Sequence, residues 1–166
     1  MTKKLILSLA VVIALPFIAN AQKFGIVNAD EIIQALPDFA KTQEQLTEAS
    51  KRYEDEFKKL QDEFDKKYTE FQALAQDTPD SIKERLLSEL QELDQKMQQF
   101  RNTAQQDLQR QQQTLMAPIE QKLMEAINAV GQEGGYTFII QDGLATYVGK
   151  DVINVTNDVK AKLGIK

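Results

Sequence analysis

Cysteine, histidine and tryptophan are absent from the 166-residue sequence, and proline and glycine are scarce, with four and seven residues. Without cysteine the chain forms no disulfide and carries no lipid on a thiol, so an exported form must be stabilised by packing or assembly. Without histidine it lacks the side chain most often used as a general base or transition-metal ligand. We therefore predict no enzymatic activity, no catalytic residues, no metal site and no cofactor.

Positive charge is also in short supply, with 20 Lys and Arg against 25 Asp and Glu. Nucleic-acid binding requires a basic surface, so that class of function is disfavoured.

The only long hydrophobic run lies at residues 5–18, after Lys3 and Lys4 and before an Ala-Asn-Ala triplet that ends at Ala21. This arrangement is typical of a secretory signal peptide. We predict cleavage after Ala21 and export as a soluble protein; the alternative is a buried N-terminal helix.

A heptad pattern runs through the first half of the remaining chain. One core position is occupied by Ser50, Phe57, Phe64 and Phe71, and the other by Leu46, Tyr53, Leu60, Lys67 and Leu74. Only Ser50 and Lys67 break the apolar rule, and charged residues fill the outer positions. A seam sustained over this many heptads predicts a coiled coil. A single amphipathic helix on a globular core is the alternative, but no other segment can supply that core.

A turn near residues 77–81 separates this helix from a second one that ends near Val130. The second helix is predicted to begin near Ser81, with Asp80 or Ser81 as its N-cap and Glu84 completing a capping box. The first helix is predicted to be capped by Asp38. Together they predict an antiparallel coiled-coil hairpin, an arm spanning residues 38–116. Pro118 is predicted to bend the second helix where the arm joins the rest of the protein.

The ends of the mature chain contain short strand patterns. Residues 23–28, 136–141 and 144–148 are predicted strands, the last two joined by a hairpin turn at Asp142-Gly143, and a short helix capped by Asn154 follows. We predict a mostly helical α+β fold in which residues 22–37 and 117–166 form a small β-containing body.

Three short strands bury little surface in one chain, and their apolar side chains point to both faces. Self-association is the economical way to cover them, so we predict a homo-oligomer built on this sheet. The alternative is a monomer whose short helices cover the sheet. The candidate interface residues are Phe24, Ile26, Tyr136, Phe138, Ile140 and Tyr147.

Two short motifs resemble modification sites. Asn154-Val155-Thr156 matches the N-glycosylation acceptor, although Asn154 is explained as a helix cap. Asp80-Ser81-Ile82, at the predicted tip of the arm, resembles a bacterial O-glycosylation sequence. Neither motif decides the function.

Several stretches resemble the Skp (OmpH) family of periplasmic chaperones for outer membrane proteins. They are "FGIVN" after the signal peptide, "LMAPIEQKLMEAINAVGQEGGYTFIIQDG", and the closing "YVGKDVINVTNDVKAKLG". The resemblance implies a jellyfish-like homotrimer in the periplasm, with three helical arms around a cavity. It further implies that the protein holds unfolded outer-membrane β-barrel proteins in that cavity without ATP, prevents their aggregation and aids their delivery to the outer membrane.

The charge of the arm departs from the strongly basic character of the best-known family member. Residues 38–110 contain 12 Lys and Arg against 17 Asp and Glu, so a lipopolysaccharide site is not carried over. We expect client contact at apolar residues near the tip, with Phe71, Leu74, Ile82 and Leu86 as candidates, although each is more simply explained as a seam residue. The competing function is a non-enzymatic coiled-coil spacer or adaptor of the cell envelope.

Overall fold

The computed structural model describes residues 22–165, so the predicted signal peptide lies outside the described residues. The chain is mostly helical with one small sheet. In chain order the elements are β1 (Lys23–Val27), α1 (Ala29–Ala35), α2 (Pro37–Gln72), α3 (Asp80–Gly134), β2 (Tyr136–Gln141), β3 (Ile153–Asn154) and α4 (Thr156–Lys162).

Asn28 and Pro37 set the start of the first two helices. The Asn28 side chain accepts a hydrogen bond from the Glu31 amide at 3.0 Å, which caps α1. Pro37 occupies the first position of α2, where its missing N–H costs nothing and its fixed φ suits a helix. The prediction that Asp38 caps α2 is therefore wrong, because the helix begins earlier, and the Asp38 carboxylate pairs with Lys122 instead.

Proline also decides how α3 begins. The helix starts at Asp80 with Pro79 as its N-cap, and no side chain caps it. The amides of Ile82 and Lys83 donate to the Pro79 carbonyl, so the predicted capping box with Glu84 is wrong. At its other end α3 runs through Pro118 to Gly134 as one helix, and the bend at Pro118 stays a prediction.

Helices α2 and α3 pack along each other. At about 1.5 Å per residue they measure roughly 54 and 83 Å. Asp38 contacts Lys122, Tyr53 contacts Asp107, and Lys67 contacts Glu89. Residues later in α2 therefore contact residues earlier in α3. Leu60 of α2 is buried along this contact with Leu86, Leu90 and Leu93 of α3. The other residues of the heptad pattern are half-buried, so the pattern does mark the packed face.

The sheet has the order β2-β1-β3, and β1 pairs in parallel with both neighbours. The predicted pairing of the chain's two ends is confirmed. The predicted strand at residues 144–148 and its hairpin are wrong, since residues 144–146 form bends and residues 147 and 148 have no regular secondary structure. Gly143, with φ of 87°, turns the chain away from β2.

Burial of the last helix explains why the hairpin does not form. Val155 and Val159 are fully buried, and they reach the core only if the chain crosses from β2 to the opposite edge of β1. Residues 142–152 make that crossing and cannot also run back along β2. The Val155 amide then donates to the Ile26 carbonyl at 2.9 Å, which extends the pairing beyond β3.

One face of the sheet packs on the hydrophobic core. Its buried members come from β1, α1, α3 and the C-terminal segment: Val27, Ile32, Leu123, Ala126, Val130, Val155 and Val159. Thr156 links these parts, since its hydroxyl accepts a hydrogen bond from the Asn28 amide at 2.9 Å and its own amide donates to Asn154 Oδ1. The prediction that Asn154 caps α4 is wrong, because the N-cap residue is Val155 and no side chain caps the helix. Asn154 lies one residue before the N-cap and supports the turn through its bond with Thr156.

Candidate interaction surfaces

An apolar cluster covers the sheet face that lies opposite the core. Phe24 and Phe138 stack with ring centroids 6.1 Å apart, and Ile26, Ile140 and Tyr147 join them around a shallow cavity of about 220 Å³. Phe138 is 63% exposed and Tyr147 is 84% exposed. Five of the six predicted interface residues thus lie together, and α1 and α4 leave them uncovered because both helices contribute to the core on the other face.

Tyr136 does not belong to this cluster. The register of β1 against β2 skips one residue between Tyr136 and Phe138, which is a β-bulge. The bulge turns Tyr136 to the core face, where its ring lies close to Gly25 and Gly134 and under the Lys23 ammonium at 4.2 Å. The prediction that Tyr136 shares a face with Phe138 is therefore wrong, because simple alternation fails at the bulge.

The outer edge of β2 is open within the described part of the chain. β2 has only β1 as a neighbour in the three-stranded sheet, so the backbone groups on its other side have no strand partner. Another strand can pair with such an edge, and here the edge lies beside an exposed apolar face. It lies next to Phe138 and Ile140, both exposed side chains of β2.

The four predicted client-binding residues lie near the turn between α2 and α3, with different exposures. Phe71 and Leu74 are half-buried, and Ile82 is 39% exposed. Leu86 is only 5% exposed, so it packs between the helices and offers no surface to a partner in this conformation. The exposed apolar surface near the tip also includes Leu87, which the heptad pattern did not single out.

An aromatic groove, missed by the sequence analysis, lies midway along the two helices. The Phe100 ring of α3 contacts Tyr53 and Phe57 of α2, with centroid distances of 6.1 and 6.3 Å. The groove beside these rings has a volume of about 340 Å³. Ser50, the polar break in the heptad pattern, lines it and was the signal available in the sequence. We call this site the mid-arm groove; its lining residues are Ser50, Tyr53, Phe57, Phe100, Ala104 and Leu108, with Glu54, Arg101 and Gln105 at its rim.

Comparison with known families adds one finding to this geometry. The sequence model of the family described as "Outer membrane protein (OmpH-like)" matches residues 23–163, from the start of β1 to the end of α4. The chain belongs to this family. A search of curated proteins finds no match.

The second polar break in the heptad pattern of this OmpH-like chain forms an ion pair between the helices. Lys67 Nζ lies 2.7 Å from Glu89 Oε2, and Glu70 and Arg85 flank the pair. The hydrogen bond and charge of Lys67 lower the pKa of the Glu89 carboxyl, and the same hydrogen bond raises the pKa of Lys67. The charge at this seam position is therefore balanced within the arm.

We expect this pair to make the stability of the helical arm depend on pH. Because the pKa of Glu89 is lowered on folding, the stabilisation is complete above its ordinary value of 4.5 and is lost as pH falls through the folded value. Thermal melts at pH 7 and pH 3 should show Glu89→Gln less stable than the parent at pH 7 and closer to it at pH 3. Glu92→Gln, at an exposed carboxylate with no cation partner among the described residues, is the matched control. An equal gap at both pH values would contradict the pair's role.

Residues 22–165 contain no group of three acidic side chains placed to hold a metal ion. Within the same residues, no helix combines the length and apolar character needed to cross a membrane.

Proposed function

We propose that this OmpH-like protein is an ATP-independent periplasmic holdase, a homotrimer that binds unfolded outer-membrane β-barrel proteins between three arms. The observation that carries the proposal is the uncovered apolar cluster on the sheet, since exposed aromatic surface of this kind marks an association site. Family membership supports the same conclusion.

Assembly follows from the two features of the sheet. In a ring of three copies, the open edge of β2 in each copy meets a different surface of the next copy. This contact gives its free backbone groups partners and removes Phe138 and Ile140 from water. Residues 22–37 and 117–166 then form the trimerisation body, and residues 38–116 of each copy form an antiparallel hairpin that projects as an arm. The contacts of Asp38 with Lys122 and of Lys67 with Glu89 support this course of the two helices.

Holding a client requires many weak contacts and no chemistry. An unfolded β-barrel protein exposes alternating apolar side chains and unpaired strands, both of which promote aggregation. Arms with apolar positions among charged residues can shield such a chain and still release it. Phe71, Leu74 and Ile82 near the tip are candidate contacts; Leu86 contributes only if the helices part.

The direct test is aggregation of a urea-denatured outer-membrane β-barrel protein after rapid dilution. Light scattering should fall to near background at one trimer per client, without ATP, while an equal mass of lysozyme should have no effect. Sedimentation should show a complex with one trimer. Undiminished scattering at a threefold excess of trimer would overturn the proposal.

A spacer or adaptor of the cell envelope is the second candidate function, favoured by the length and charge of the two helices. It predicts one folded partner bound at a defined site and no protection of unfolded clients. The aggregation assay separates the two functions.

A further inference from the structure

The mid-arm groove exists because one layer of the helical seam is filled by small side chains. The heptad pattern places Phe or Leu at most core positions, but this layer has Ser50 on α2 and Ala104 on α3. Ser50 Oγ hydrogen-bonds to Glu54 Oε1 of its own helix at 3.2 Å, so it does not satisfy a group across the seam. The layer is consequently underfilled, and apolar surface remains open to one side.

The walls of the groove are held in place before any partner binds. Tyr53 donates a hydrogen bond from its hydroxyl to Asp107 at 3.1 Å, and its ring meets Phe100 edge-on. Phe100 also stacks on Phe57. Flat ring surfaces fixed in this way favour another large apolar side chain, above all an aromatic one, and little ordering entropy is lost on binding.

The charge at the rim restricts the partner further. The Arg101 guanidinium lies 4.5 Å from the centroid of the Phe57 ring and forms no ion pair with another residue in the range 22–165. Glu54, on the opposite rim, already accepts the hydrogen bond from Ser50. Within this range neither of these two charges forms an ion pair, but Arg101 is the one that lies against the aromatic wall of the groove. It therefore complements a carboxylate next to an apolar side chain that binds on these rings.

We infer that the mid-arm groove binds one large apolar side chain of an unfolded client whose neighbouring residue is acidic, with Arg101 contacting that carboxylate. This inference rests on the proposed function and deepens it, because it assigns a specific subsite midway along the arm in addition to the tip. Strands of membrane β-barrels alternate apolar and polar residues and carry aromatic side chains at the membrane interfaces. Such clients therefore offer aromatic residues with polar neighbours, and the groove selects those whose neighbour is acidic.

Methyl NMR of the full mature protein tests this locally, and it is sensitive to weak binding. The probe is the capped peptide Gly-Thr-Trp-Asp-Thr-Gly, compared with a version that has Lys in place of Asp. The Trp ring should shift the Ala104 and Leu108 methyl signals in a saturable manner and leave those of Leu87 unchanged. The Asp peptide should bind about two- to fivefold more tightly than the Lys peptide, as expected for one exposed ion pair.

Two pairs of variants separate the contributions of shape and charge. Ser50→Leu fills the layer and should weaken binding of the Asp peptide at least tenfold, whereas Ser88→Leu, on the exposed side of α3, should not. Arg101→Gln should abolish the preference for the Asp peptide, whereas Lys96→Gln should preserve it. The inference is overturned by an absence of saturable shifts at Ala104, by binding that survives Ser50→Leu, or by Ala104 shifts that change with protein concentration alone, which would place a second copy of the arm in the groove.

The aggregation assay distinguishes failure of this inference from failure of the proposed function. If the inference holds, the Ser50→Leu protein protects clients less well at equal trimer concentration. Full protection by both proteins would contradict the role of the mid-arm groove and leave the proposed holdase function standing. No protection by the parent protein would contradict both the holdase function and the role of the groove.

Discussion

Phe138→Asp is expected to convert the proposed trimer into monomers while most of the helical signal remains. Phe138 is 63% exposed in one chain and stacks on Phe24 at the centre of the apolar cluster. In the assembly, three new carboxylates would be removed from water without partners. Each unpaired buried charge costs about 3–5 kcal/mol, so the sum raises the dissociation constant by roughly six orders of magnitude or more.

Sedimentation velocity at micromolar concentration measures this effect, and circular dichroism checks that the helices persist. Leu87→Asp is the matched control, because Leu87 is 47% exposed on α3 and outside the sheet. The control should remain a trimer. A trimeric Phe138→Asp protein would show that subunits do not meet at this face, and Ile140→Asp would then be expected to have no effect either.

Ile32→Ala is expected to lower the free energy of unfolding by about 2–5 kcal/mol, the range for large-to-small changes in a closed core. Ile32 is 0% exposed and belongs to the cluster that joins β1, α3 and α4. Removing its three outer carbons leaves a cavity that well-packed neighbours fill only in part. A loss of this size is a large fraction of the stability of a small body.

Urea unfolding followed by circular dichroism measures this loss, with all variants at one protein concentration because the proposed assembly would contribute to stability. Ile82→Ala makes the same truncation at a site that is 39% exposed, and it should cost less than about 1 kcal/mol. Equal losses for the two variants would mean that the cluster around Ile32 is not the core.

Local patterns in the sequence predicted the helices well because heptad spacing, turn residues and glycine stops act over a few residues. The two polar breaks, Ser50 and Lys67, were visible as exceptions, but their consequences were not. One opens the mid-arm groove and the other forms the ion pair with Glu89. Which outcome each break has depends on the side chain that faces it from the other helix.

The predicted N-caps of the two long helices are wrong because a nearby proline determines each helix start more strongly than the capping side chain does. Asp38 and Ser81 are good capping residues in isolation, yet Pro37 and Pro79 fix the local φ and place each helix start earlier. The error is local and correctable from the sequence alone. The error in the face assigned to Tyr136 is of a different kind, since that face depends on a bulge that appears only when β2 is aligned with β1.

The sequence by itself determined that this is a long helical pair joined to a few short strands from both ends of the chain. Only the tertiary structure decided the order β2-β1-β3 and the absence of a hairpin at residues 144–148. The turn chemistry of Asp142-Gly143 favours a hairpin locally, but burying Val155 and Val159 requires the chain to cross to the far edge of β1. That burial outweighs the local preference, and among residues 22–165 it leaves the outer edge of β2 and the cluster around Phe138 uncovered.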